Sequence, residues 1–253
     1  MTLININYKK RLFLILISFT LAACQSTSPT STTITKTTNT GGSCGTIQGS
    51  FLGSWFDYYQ RGLSYADCEM WEESEQDLQK AASKRGIDKR RVYSLGMHLI
   101  NDYFPQRELG IALFYQKKYT EAEKHFKLSL SQFPTSKAEE YLNRVRVIRL
   151  SLTKSDIHSP SIQIISPQEN SVHSTSTIRV NGRVSDDSFL DKVLINGIPY
   201  RNISTFTTQS GTPIRIARKS STLDFSLDVP VQYTDRQATI EIVATDIMGR
   251  TKT

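Results

Sequence analysis

The chain has 253 residues, a formal net charge of +7 and 38% hydrophobic residues, which suits two small domains better than one large one. Three positive charges, Lys9, Lys10 and Arg11, fall in the first 23 residues, so the remainder carries only +4. Such a balance, without basic residues clustered on one face, excludes a nucleic-acid-binding protein and leaves at most weak attraction to anionic lipid.

Behind Lys9-Lys10-Arg11 comes the apolar run "LFLILISFTLAA", about a dozen residues where spanning a bilayer takes roughly 20. A positive start, a short apolar stretch and small residues before a cut site are the parts of a secretory signal. Ala22 and Ala23 followed by Cys24 resemble the lipobox of bacterial lipoproteins. That resemblance implies cleavage of a signal peptide over 1–23, attachment of diacylglycerol to the Cys24 sulfur (with palmitate as a typical acyl chain), and Cys24 as the new N-terminus. Gln25 in place of aspartate implies sorting to the periplasmic side of the outer membrane rather than to the inner membrane.

Residues 24–50 are dominated by Ser, Thr and Gly and offer little apolar surface to offset the entropy of ordering. They are expected to form a flexible tether whose reach grows as the square root of its length. Two cysteines remain beyond Cys24, and in an exported protein Cys44 and Cys68 can pair. Their spacing does not decide between a disulfide, two free thiols and a catalytic Cys68.

From 51 to 150 the apolar residues recur at helical spacing. The clearer of two copies is "RELGIALFYQKKYTEAEKHFKLSLSQFP": Leu109, Gly110 and Leu113 on a first helix, Tyr119 at the turn, Ala122, Phe126 and Ser129 on a second, and Pro134 as the stop. An earlier copy keeps Gly62, Tyr65, Leu78 and Ala81, with Ser74 and Gly86 at positions of Ala122 and Pro134. Both copies resemble the tetratricopeptide repeat, in which small residues let antiparallel helices approach while large ones fill the gap. Gly62 and Gly110 are 48 positions apart instead of the family's 34, so the segment "IDKRRVYSLGMHLINDYFP" is an insert, read as a third helix or a packed loop. After Pro134, Ser136 followed by Glu139 reads as a capping box. Ala138, Tyr141, Leu142, Val145 and Ile148 would form the buried stripe of a closing helix that shields the last repeat.

From 159 to 253 the pattern turns to alternation: "SIQIISP", "STIRVNGRV", "LDKVLINGIPY", "TPIRIAR", "STLDFSLDVP" and "ATIEIVATD" read as short antiparallel strands. The inward candidates are Ile162, Ile164, Ile178, Val180, Val193, Ile195, Phe225, Leu227, Ile240, Ile242 and Ala244. Their order resembles the immunoglobulin-like domains of bacterial envelope proteins. The expected fold class is therefore multidomain, α then β: tetratricopeptide-like α-hairpin repeats followed by an antiparallel immunoglobulin-like sandwich. Such a sandwich usually has one more edge strand than the run ending at Thr253 provides. The order of lipid signal, repeats with "YSLGMHLINDYFPQRELGIALFYQ", and sandwich resembles the front half of envelope proteins that can carry a caspase-like peptidase domain, whose His and Cys motifs have no counterpart in this sequence.

Little in the sequence points to catalysis. No two of His98, His125, His158 and His173 stand at metal-ligand spacing, and no glycine-rich phosphate loop occurs. Asp186, Asp187 and Asp246 could converge on calcium but read first as turn aspartates. The run "RIARK", Arg215 to Lys219, reads as a solvated strand edge or a patch for lipid phosphate or an acidic partner. No enzyme activity, cofactor, metal or nucleic acid is expected. The reading is a lipid-anchored envelope scaffold that binds a protein or peptide through its repeats, with aromatic anchors sought among Tyr58, Tyr65, Tyr103 and Tyr115; the alternative is the non-catalytic front of a caspase-like peptidase.

Overall fold

A computed structural model describes residues 43–94, 99–200, 203–207, 213–231 and 239–253. Cys24 and the expected signal peptide lie outside them, as does His98. Helix α1 (Trp55–Asp67) opens with a capping box: Asp57 N donates to Ser54 Oγ and Ser54 N donates to Asp57 Oδ2, which satisfies two of the free amides at a helix start. It pairs with α2 (Trp71–Lys84). A second pair, α3 (Pro105–Tyr115) and α4 (Tyr119–Gln132), follows, and α5 (Ser136–Thr153) closes the row against α4 and α3.

The insert between the pairs is neither a helix nor a loop but a β-hairpin, β1 (Lys89–Tyr93) and β2 (Leu99–Tyr103). Alternation explains it: Val92 lies opposite Ile100 and both are buried, whereas the next pair, Tyr93 and Leu99, is exposed. β-branched and aromatic side chains suit a half-buried pleated surface of this kind. Tyr103 ends the hairpin fully buried, its ring edge-on to Trp55 and Tyr59 and its hydroxyl donating to Arg85 O at 2.6 Å.

The N-terminal cap of α5 also differs from the sequence expectation. Thr135, extended and directly after Pro134, accepts from Ala138 N at 3.2 Å, which puts Ser136 inside the helix. Glu139 thereby falls one position too far along to close a capping box, and it is buried instead. Ala138, Leu142 and Val145 are buried as expected, while Tyr141 and Ile148 are half-buried.

The C-terminal part is antiparallel throughout. One sheet has the order β3 (Ser161–Ser166), β4 (Thr177–Ser185), β9 (Thr222–Pro230). A second runs β11 (Thr251–Lys252), β10 (Ile242–Asp246), β5 (Leu190–Ile195), β6 (Ile198–Tyr200), and β7 (Ile203–Thr207) pairs with β8 (Pro213–Ala217) as a separate ribbon. Val180, Val184, Phe225 and Val229 of the first sheet and Val193, Ile195, Ile242 and Ala244 of the second form one apolar cluster. On the other side of the β4–β9 pair, Arg179 faces Asp228 and Arg183 faces Asp224, each held by two hydrogen bonds, so the strict alternation of these strands separates core from solvent. Ile164 departs from the inward set: it is 44% exposed, because β3 is an edge strand and its cross-strand partner is Gly182, which has no side chain to cover it. Ile162, Leu227 and Ile240 are only half-buried.

Candidate partner-binding face

The two helix pairs are built on one packing rule. A Cβ added to Gly62 would meet Leu78 Cγ at 2.8 Å, and one added to Gly110 would meet Phe126 Cε1 at 2.7 Å, so each pair depends on a glycine at its closest approach. Ser74, in the place of Ala122, is fully buried and donates its hydroxyl to Gly62 O at 2.8 Å. A polar residue is tolerated there because its hydrogen bond is made to the neighbouring helix. Ala81, Ala122 and Phe126 are fully buried, and Pro134 is buried as well.

The segment expected to end the tether is not free over its last residues. Cys44 and Cys68 are joined in a disulfide with Cα atoms 6.0 Å apart, and Cys68 caps the end of α1. Gly45, at a φ of +73° that favours glycine, lies so close to Tyr65 that a Cβ would meet Cε1 at 2.5 Å. Thr46 N donates to Ser64 Oγ. Tyr65 is thus a bearing surface for residues 44–46 rather than an open anchor.

A second feature lies where the helix pairs turn. Trp71, the first residue of α2, stacks on Tyr115, the last of α3, with ring centroids 4.1 Å apart and planes 10° from parallel. The Tyr115 hydroxyl is 3.2 Å from that of Tyr141 on α5, and Phe114 meets Tyr115, Tyr119 and Tyr141 edge-on. Glu75 ties the turn down by accepting from Gln116 Nε2 and Lys118 Nζ, both at 2.7 Å. Tyr115 remains 44% exposed, and burial, helped by the Tyr115 hydrogen bond, pushes the Tyr141 hydroxyl up to about 12. Of the four expected anchors, Tyr115 presents its ring at an exposed edge, Tyr58 and Tyr65 are half-buried, and Tyr103 belongs to the core.

A polar centre that the sequence does not announce lies at the other end of α3 from Tyr115. Asp88, 1% exposed, accepts from Gln106 N at 2.8 Å and Arg107 N at 3.2 Å. It thereby caps α3, whose own N-cap, Phe104, has no side chain able to do so. Burial raises the Asp88 carboxyl to about 6. Gln106 Oε1 is 2.8 Å from His125 Nδ1, and burial lowers His125; a histidine so placed is a packing residue.

The aspartates gather differently from the expected turn set. Asp156, Asp186 and Asp187 bring carboxylate oxygens within 4.8 Å of one another, while Asp246 is buried against Arg250. Arg250 Nε donates to Asp246 Oδ2 and Nη1 to Asp156 O, and its guanidinium pairs with the Asp156 carboxylate. Among the described residues, the Arg250 guanidinium thus lies between Asp156 and Asp246, and His158 Nδ1 is 3.1 Å from Asp187 Oδ2. In the run Arg215 to Lys219, Lys219 pairs with Asp191 and Arg218 lies 3.4 Å from Glu139 on α5, so only part of it is a solvated edge.

No family model and no curated protein matches the chain. Among solved structures, the second TPR domain of the human RPAP3 protein in complex with an HSP70 peptide is similar at 20% identity, with a TM-score of 0.29, over 37% of this chain and 67% of that one. Among the described residues no helix is long and apolar enough to cross a membrane.

Proposed function

We propose that the protein is a non-enzymatic scaffold of the bacterial cell envelope, tethered to the outer membrane through lipid on Cys24, that captures a protein or peptide on its helical repeats. The β-sheets, read as an immunoglobulin-like module, supply a second contact surface. The observation that carries the reading is the repetition of one glycine-dependent helix packing 48 residues apart beside the aromatic edge formed by Trp71, Tyr115 and Tyr141. Stacked helix pairs present extended surfaces of this type, and aromatic residues with a rigid support carry much of the energy at protein interfaces. The disulfide that fixes residues 44–46 to α1 leaves the preceding Ser/Thr-rich residues as the spacer.

The test has two parts. Membrane fractionation with intact mass compares wild type with Cys24→Ala; the lipid reading requires lipid mass and flotation in the first and neither in the second. A photo-crosslinking residue at 115 should then give a discrete adduct in cells that the same residue at Glu140, exposed on α5, does not. Equal crosslinking at both positions would remove the aromatic edge from the proposal.

A further inference from the structure

The β-sheets carry a cavity of about 300 Å³ that the partner-binding reading does not use. Its walls come from β5, β6, the end of β8 with the connection 218–220, and β9. Leu190 N donates to Ser220 O at 2.8 Å and ties the connection to β5. The floor is apolar: Leu190 is 5% and Val193 1% exposed, with half-buried Leu223 and Tyr200 beside them. The Tyr200 ring lies edge-on to Phe225, which backs this wall.

The rim is basic and unevenly neutralised. Lys219 is paired with Asp191, and Arg218 shares Glu139 of α5 with Arg146. Lys192, also on the rim, is exposed and makes no ion pair among the described residues. Lys192 is thus an uncompensated positive charge at the mouth of an apolar floor. A cavity at the small end of the range for ligand sites, apolar with a few polar groups at one side, takes a compact ligand whose head group fixes its orientation. We infer that this cavity binds a small amphipathic acid, with a ring-sized apolar body on Leu190, Val193 and Leu223 and a single anionic head at Lys192. The run "RIARK" then has a role in its last two residues, as part of the rim of this cavity.

The experiment titrates the full chain with 3-phenylpropionate at low ionic strength and follows amide shifts by NMR, with 3-phenylpropanol and acetate as the two halves of the probe. Saturable shifts confined to the amides of residues 190–193, 200 and 217–223 are expected, with a dissociation constant on the order of 1 mM, as small ligands of this size give. Either half alone should bind at least about tenfold more weakly, and Lys192→Gln should weaken the acid by about tenfold without moving its binding of 3-phenylpropanol. Because Lys192 is exposed, its substitution leaves the fold intact. Absence of saturation, shifts centred elsewhere, or an unchanged affinity in Lys192→Gln overturns the assignment. None of these outcomes bears on the crosslinking at position 115, so the two readings fail independently.

Discussion

Gly110 lies against the ring of Phe126 so closely that the smallest side chain would overlap it, and Gly62 stands in the same relation to Leu78. At an exposed helix position, replacing glycine by alanine gains about 1 kcal/mol. At Gly110 the gain is overwhelmed, because Phe126 is fully buried and its flat ring cannot bend away. Gly110→Ala is expected to destabilise the protein by about 1–3 kcal/mol, the cost of overpacking a core. Gly62→Ala should cost less, since part of the Leu78 side chain can rotate. Urea denaturation of the two variants decides it; a more stable Gly110→Ala would show that the helices are not held at this distance.

The disulfide is expected to stabilise chiefly the start of the helical part. Cys44 and Cys68 are 24 residues apart, and closing a loop of that size contributes about 3 kcal/mol. Reduction, or a Cys44→Ser/Cys68→Ser double substitution, should lower the melting temperature and expose the amides of 44–66 to hydrogen exchange before those of α3 and α4. Uniform loss of protection across all five helices would instead mean that the bond supports the whole unit.

Asp88 gives the protein a pH dependence of known sign. Its folded carboxyl is raised by burial to about 6, against an ordinary value near 3.9. The folded state therefore binds the proton more tightly than the unfolded one. The resulting stability is fully present below about pH 4 and is lost as pH rises through about 6. Asp88→Asn keeps an acceptor for Gln106 N and removes the titration. The difference in unfolding free energy between wild type and the variant should vary across pH 4–6 and be flat above pH 7. A difference that does not change with pH would assign the Asp88 carboxyl an ordinary value.

Much of this architecture was legible because it is local. The helix pairs follow from apolar spacing with Gly110, Ala122, Phe126 and Pro134 at fixed offsets, and the β4 and β9 strands follow from alternation over nine residues each. What escaped the sequence depends on partners distant in the chain or on a single step of register. The insert was ambiguous because its apolar run is short, and only the pairing of Val92 with Ile100 makes it a hairpin. Thr135 and Ser136 are both good caps, so the choice between them rests on the extended backbone at Thr135. Asp88 caps a helix 17 positions further on; the one hint was that Phe104, before Pro105, cannot cap its own helix. Ile164 carries the alternation of a core residue yet stays 44% exposed, because it lies on an edge strand opposite Gly182.

The junction between helices and sheets offers the last prediction. Glu139 on α5 is 4% exposed, with Arg146 Nη1 at 3.5 Å and Arg218 Nε at 3.4 Å, while the Arg146 guanidinium also lies 4.1 Å over the Phe189 ring. Burial lowers Arg146 and the Glu139 charge opposes that shift. Neither carboxylate oxygen of Glu139 has a well-aligned hydrogen bond, so the buried charge is held by two nearby cations. Removing one of them leaves Glu139 poorly compensated, whereas neutralising Glu139 relieves the need for both. Arg218→Met should therefore destabilise the protein by roughly 1–3 kcal/mol, the partial exposure of Arg218 keeping the cost below that of a fully buried pair. Glu139→Gln combined with Arg218→Met should recover part of that loss, giving a coupling above about 0.5 kcal/mol. Thermal or urea unfolding of the four proteins closes the cycle. Additive effects would mean that Arg218 contributes only its aliphatic stem at this junction, and that the sheets are held to the helices by the burial of Ile216 in the helical core and by Arg146 over the Phe189 ring.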